Sequence, residues 1–345
     1  YPHRQGLEVT ADNPLGTGPY SLEDGIGGKH LQRVVGWWCS SDDLVAKDSS
    51  IALVEAESPS QIRDEFEFSG LSVVCTNPQT DSYADYRCDF ELWEVDSGFM
   101  MYVGCNVTYS KFFDDGTLRT FLTYGIDRQT LVDDNYGGLA LPTTLPISPM
   151  SPYYSKSLAT NYDYDEMRFI DAASKFRVPT NDKGVPRTLQ LLVNSDDSAR
   201  LRCARNIAAT LTELGLACET VESPTSVYEA RLQAANYDIY LGITKLPTTA
   251  DLSEFYRQWG EMSWGGLANE TIYNMVNQSL ADRGNYYNLH KLVADDGRII
   301  PVMAGYYAIY AKRGVLSDLN PARDNVFYYT LGKTMESSKV ATQFS

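Results

Sequence analysis

Histidine occurs only three times in the 345 residues, as His3, His30 and His290, each in unrelated surroundings. That scarcity leaves little support for a histidine-based triad or a structural zinc site. The six cysteines, Cys39, Cys75, Cys88, Cys105, Cys203 and Cys218, form no C-x-x-C pair, and neither G-x-S-x-G nor H-E-x-x-H occurs. No catalytic residue, metal or cofactor is therefore expected. Basic charge is short as well: 29 Lys and Arg stand against 45 Asp and Glu, for a net charge of −16 and a pI near 4.6. Phosphate binding needs a basic stripe, so nucleic acid is excluded as a partner. No Lys/Arg block offers a home for anionic headgroups. No run of ~18 apolar residues appears, so no direct membrane span is expected. A charged, then apolar, then small-residue leader is also missing. The chain opens at Tyr1 rather than Met, which predicts a processed or trimmed product.

With 43% hydrophobic and 21% charged residues, a chain this long buries a substantial core and is expected to split into two domains. The cysteines are expected as buried free thiols, with Cys75–Cys88 the pair to form if the compartment is oxidising. Asn106, Asn269 and Asn277 open glycosylation sequons, which matter only in a eukaryotic secretory setting.

The clearest pattern lies between Thr188 and Ile243. Leu189 to Val193 reads as a buried strand, and Asn194 to Asp197 supply cap and first-turn chemistry. Leu201, Ala204, Ala208 and Leu211 follow at helical spacing until Gly215. Cys218 to Val221 reads as a second strand and Ser226 to Ala235 as a second helix, with Ser226 and Glu229 as a capping box. Tyr237 to Leu241 makes a third strand. Short strand–helix–strand connections force parallel pairing, so this is an α/β lobe.

Elsewhere, strands are expected at Ile51 to Ala56, Leu71 to Cys75, Phe99 to Val103 and Ile299 to Tyr310. Helices are expected from Ser58, over Leu118 to Asp133, and over Glu270 to Ala281, with a Pro-rich loop at Leu141 to Pro152. Asp24 to Gly28 is read as a turn. Asp163, Asp165 and Glu166 hint at calcium but lack the loop glycine and the distal Glu, so helix-start acidity explains them. Gly332-Lys333-Thr334 ends like a phosphate loop, but Phe327 replaces the required glycine.

Several stretches together resemble, in order, the family 5 extracellular solute-binding proteins, which include dipeptide-, oligopeptide- and nickel-binding proteins. They are Asn13-Pro14-Leu15-Gly16-Thr17-Gly18-Pro19-Tyr20, Gln61 to Val74, Tyr102-Val103-Gly104-Cys105-Asn106, Tyr124-Gly125-Ile126-Asp127-Arg128, Tyr162 to Glu166, Tyr237-Asp238-Ile239 and Ile300-Pro301-Val302. The collinearity covers about 300 residues. Members usually carry well over a hundred further residues before the first of these segments.

The resemblance implies an α/β, two-lobed, periplasmic-binding-protein-like (type II) fold with lobe I incomplete at its N-terminus. Lobe I is placed at residues 1–111 and 300–345 and is mixed α/β; lobe II, three-layered, occupies 112–299. Hinge closure around a small molecule or peptide, followed by handover to ABC transporter permease subunits, is the implied mechanism. The implied location is extracytoplasmic, in the periplasm or at the cell surface, with a lipid anchor on the full-length protein. A solute-sensing regulatory module using the same lobes is the alternative. Ligand contacts are expected from loops at the carboxyl ends of the lobe II strands, at Gly242, Ile243, Thr244 and Lys245. Peptide binders commonly place a Trp and an Asp there; here the first carboxylate is Asp251, and Lys245 points instead to an anionic ligand or to a solvated lysine. Trp264 and Gly265 are expected as a stacking platform, or else as plain packing.

Overall fold

The computed structural model describes residues 16, 18–25, 27–38, 49–56, 58–77, 86–315, 321 and 323. His3, Asn13 to Leu15, Thr17, Cys39 and Gly332 to Thr334 lie outside them. The chain divides into two compact units, Tyr1–Val95 with Tyr307–Ser345, and Asp96–Tyr306.

In the first unit, β1 (Tyr20–Gly25) and β2 (Gly28–Arg33) form a hairpin, so the glycine-rich Asp24–Gly28 stretch is its turn. β3 (Ser50–Ala52) joins β2 antiparallel and is shorter than the expected Ile51–Ala56. Helix α1 (Pro59–Phe68) begins where Ser58 accepts a hydrogen bond from the Gln61 N–H, with proline in the first turn. β4 (Val73–Thr76) pairs antiparallel with Ala308 to Ala311. Tyr86, Phe90 and Tyr310 meet edge to face, and Phe66 packs tilted against Tyr86.

The second unit opens within β5 (Phe90–Cys105). Helices α2 (Thr117–Phe121) and α3 (Arg128–Tyr136) follow where one helix was expected, separated by a 3-10 turn at Leu122–Gly125. The break has a local cause. Asp127 caps α3 by accepting from the Thr130 N–H, and the turn leaves the Tyr124 carbonyl to accept from the Asp165 N–H. Next come β6 (Leu141–Pro142), α4 (Lys156–Ala159) and α5 (Glu166–Lys175), then β7 (Leu189–Asn194), α6 (Ser198–Glu213), β8 (Cys218–Ser223), α7 (Thr225–Gln233) and β9 (Ile239–Lys245). The unit ends with α8 (Ser253–Tyr256), α9 (Glu270–Ala281), α10 (Tyr286–Asp296) and most of β10 (Ile299–Lys312). β7 pairs parallel with β8 and β9, as the strand–helix–strand pattern requires, while β5 pairs antiparallel with β9.

Side chains alternate across this sheet with period two. Met101, Val103, Cys105, Leu191 and Val193 face a core built with α2, α3, α5 and α6. Met100, Tyr102, Leu192 and Tyr240 face the opposite core with α7, α8, α9 and α10. Helices therefore cover both faces, giving three layers. The expected Ser226 capping box is absent: α7 starts one residue earlier behind Pro224, and Thr225 bonds Asp196 instead. Cys88, Cys105, Cys203 and Cys218 are free thiols, so no Cys75–Cys88 bridge forms. Burial pushes the Cys203 and Cys218 thiols up to about 12, which makes both inert packing groups.

Candidate functional site

The parallel strands of the second unit end at Asn194, Ser223 and Lys245. Asn194 donates to the Thr225 hydroxyl at 3.0 Å, and Asp196 accepts from the Thr225 N–H at 2.8 Å and from its hydroxyl at 2.7 Å. The Thr225 amide first, then the hydroxyl, hold the Asp196 carboxyl below its ordinary range. Asp197 caps α6 through the Arg200 N–H, and buried Arg200 lies 5.4 Å from the Tyr228 ring. Tyr228 in turn donates to the Leu241 carbonyl at 3.0 Å. This edge offers amides, hydroxyls and carboxylates, which suits hydrogen bonding to a polar solute.

Gly242, Ile243, Thr244 and Lys245 lie inside β9, not in a loop after it: the strand runs four residues past Leu241. β5 holds them there, through the pairs Tyr102↔Gly242, Met101↔Ile243, Met100↔Thr244 and Phe99↔Lys245. The β7 partners stop at Tyr240, so this end of β9 projects beyond β7. Gly242 is glycine because a Cβ would sit 2.6 Å from the Tyr102 ring. Ile243 is 38% exposed and Lys245 is exposed, whereas Gly242 is buried.

Trp264 and Gly265 stand at the other end of the same strand. The Gly265 carbonyl accepts from the Val107 and Thr108 amides at 2.9 and 3.2 Å, beside Asn106, whose own amide bonds the Asp238 carbonyl. Gly265 has φ +60, and a Cβ there would meet the Tyr237 hydroxyl at 2.7 Å. Trp264 is partly buried against the core around Tyr240. Seven strand residues, roughly 20 Å of chain, separate this pair from Lys245. The structure thus brings Gly242 to Lys245 together and keeps Trp264 and Gly265 away from them.

The motif residues are internal latches. Asn106 donates to the Ala235 and Tyr237 carbonyls at 2.9 and 2.8 Å and accepts from the Tyr109 N–H. Asp238 accepts from the Ser110 hydroxyl at 2.5 Å and from the Gln190 N–H at 3.0 Å. Arg128 is buried without a carboxylate bonded to it. Its guanidinium donates to the carbonyls of Thr143, Pro301, Thr123 and Ile126 and to the Thr123 hydroxyl. Burial lowers its pKa to about 10, still leaving it charged at neutral pH. His290 is fully buried on α10, neither ring nitrogen has a hydrogen-bond partner, and burial pushes its pKa down to about 4. A buried imidazole with no nucleophile bonded to it offers no base for catalysis.

A polar hollow of about 530 Å³ opens elsewhere on this unit, lined by Tyr124, Tyr162, Tyr164, Asp163, Asp165, Arg168 and Asp295, together with Thr160 and Asn161. Asp165 is the α5 cap and Glu166 lies in its first turn, which accounts for the acidity at that helix start. No three-residue metal cluster occurs among the described residues. Sequence reading missed the hollow because its residues come from the turn before α3, the segment 160–165 that leads into α5, α5 itself and α10, which no local spacing connects.

The family model for the bacterial extracellular solute-binding proteins, family 5 (middle region), matches residues 4–265. The chain belongs to this family, one of solute-binding proteins and not of enzymes. No curated protein matched. Among solved structures, HbpA2 from Haemophilus parasuis aligns with a TM-score of 0.74 at 13% identity, covering 93% of this chain and 65% of that one. The putative peptide-binding protein AppA from Clostridium difficile gives 0.70 at 14%, covering 91% and 66%. NikA from Brucella suis, solved with Fe(III)-EDTA, gives 0.68 at 15%, covering 93% and 69%. The fold is therefore the α/β, periplasmic-binding-protein-like type that the motifs implied. The chain spans about two thirds of the length of these structures.

Proposed function

We propose that this chain is the larger part of an extracytoplasmic solute-binding receptor that delivers a small solute, by default a peptide, to the permease subunits of an ABC importer. Family membership across residues 4–265 is the observation that carries this reading. The reading keeps lobe I at 1–111 with 300–345, lobe II at 112–299, and a lipid anchor on the full-length protein. Gly242 to Lys245 supply solute contacts in it. An extended strand end that projects past its neighbour suits main-chain pairing with an extended peptide, and Ile243 adds an apolar contact. Trp264 and Gly265 are assigned to packing. The test is a titration of short peptides followed by calorimetry, with Ile243→Asp and Lys245→Ala. Saturable binding weakened by roughly tenfold in either variant supports the assignment. Binding indifferent to both variants removes these residues from the site.

A further inference from the structure

The hollow beside α5 shares no residue with the β9 end, and its chemistry is different. Its walls carry three tyrosine rings and three carboxylates, from Asp163, Asp165 and Asp295, against the single lining cation Arg168. The cations at hand are already engaged. The Arg168 guanidinium lies 3.8 Å over the Tyr124 ring. Lys291, just outside the lining, pairs with Asp295, whose other oxygen accepts from the Tyr162 hydroxyl at 2.5 Å. Burial first, then that carboxylate, raises the Tyr162 pKa, so the phenol stays protonated and donating.

Asp163 and Asp165 differ. Each spends one oxygen on a backbone amide, Asp163 on the Tyr164 N–H and Asp165 on the Arg168 N–H, both at 2.9 Å. Neither forms an ion pair with a described residue. Both residues are exposed and line the same hollow. Two carboxylates lining one hollow attract a cation by charge, and the tyrosine rings of the same walls add their quadrupole. The carboxylates do not converge into a metal cluster. A volume of about 530 Å³ is in the range of small-molecule sites and far exceeds a bare ion.

We propose that this hollow binds a small organic cation bearing a primary ammonium or guanidinium group, with Asp163 and Asp165 holding the charged head and the tyrosines flanking its alkyl or planar body. The proposal does not rest on the transport reading.

The test uses the full chain and agmatine, which carries both head groups, with n-pentanol as the uncharged control and glutarate as the anionic one. The key variant is the double substitution Asp163→Asn with Asp165→Asn. It removes both charges while keeping side-chain oxygens for the two amides, and asparagine is a good helix cap, so the fold is retained. Asp182→Asn, an exposed carboxylate in a different loop, controls for general loss of negative charge. Calorimetry is expected to show saturable agmatine binding at about 1 mM or tighter, roughly tenfold weaker in the double variant and unchanged in Asp182→Asn. It is expected to weaken from ~20 to ~200 mM salt, with no signal from pentanol or glutarate. Absence of saturation, equal binding by the double variant, or equal loss in Asp182→Asn would each overturn the proposal.

Discussion

His290 gives the sharpest stability test. The imidazole has both nitrogens buried without partners, and its pKa falls to about 4 from 6.5 because burial disfavours the charged form. The unfolded chain therefore binds a proton at this residue between about pH 6.5 and 4 that the native state refuses. Since stability rises with pH wherever the unfolded state holds more protons, the His290 contribution is fully present above about pH 6.5 and is lost as pH falls through about 4. A difference of 2.5 pKa units amounts to about 3 kcal/mol in full, of which about 2 kcal/mol is lost between pH 7 and pH 5. His290→Leu fills a similar volume and removes the titration. Urea unfolding followed by tryptophan fluorescence, at pH 7 and pH 5, isolates the effect as the difference between the two proteins' pH decrements. The variant is expected to lose about 2 kcal/mol less than the parent over that interval. Equal decrements would mean that the imidazole is solvated or partnered, and the argument from burial would fail.

Three further substitutions test the latches. Arg128→Met leaves the carbonyls of Thr143, Pro301, Thr123 and Ile126 without their shared donor, and a loss of about 3–5 kcal/mol in urea unfolding is expected; a loss under about 1 kcal/mol would show that water replaces the guanidinium. Gly242→Ala drives a Cβ into the Tyr102 ring, so a drop of about 1–3 kcal/mol is expected from thermal or urea melts. Asp238→Ala strands the Ser110 hydroxyl and the Gln190 amide, with about 2–3 kcal/mol expected; a neutral result would indicate that neither partner needs the carboxylate.

How far the sequence was legible follows from how local each signal is. β7, α6, β8 and the start of β9 could be read because period-two and period-3.6 apolar patterns sit beside a strong cap, Asp197, whereas no side chain caps α7 and the Ser226 box expected there is absent. The break between α2 and α3 could not, because its Asp127 cap works together with a tertiary partner, the Asp165 N–H that the freed Tyr124 carbonyl accepts from. The end of β9 is expected at Leu241 but runs on to Lys245, because β5 pairs with Gly242 to Lys245 and the Tyr102 ring on that neighbouring strand is what requires glycine at 242. Collinear motifs identified the family, yet Asn106, Asp238 and Arg128 hold the backbone together and do not reach for ligand. A motif fixes the scaffold, and specificity is left to residues without a local signature. The hollow illustrates the same limit, since Tyr124 and Asp295 become neighbours only on folding.

The central claim is that this chain holds a small solute and releases it unchanged. Native mass spectrometry of protein purified without denaturation tests it most directly, with the released species sequenced or fragmented. A bound ladder of short peptides, or one small molecule displaced by added peptide and recovered intact, is the predicted result. A bare polypeptide mass that stays bare across a peptide panel, or cleavage of the added peptides, would contradict the account.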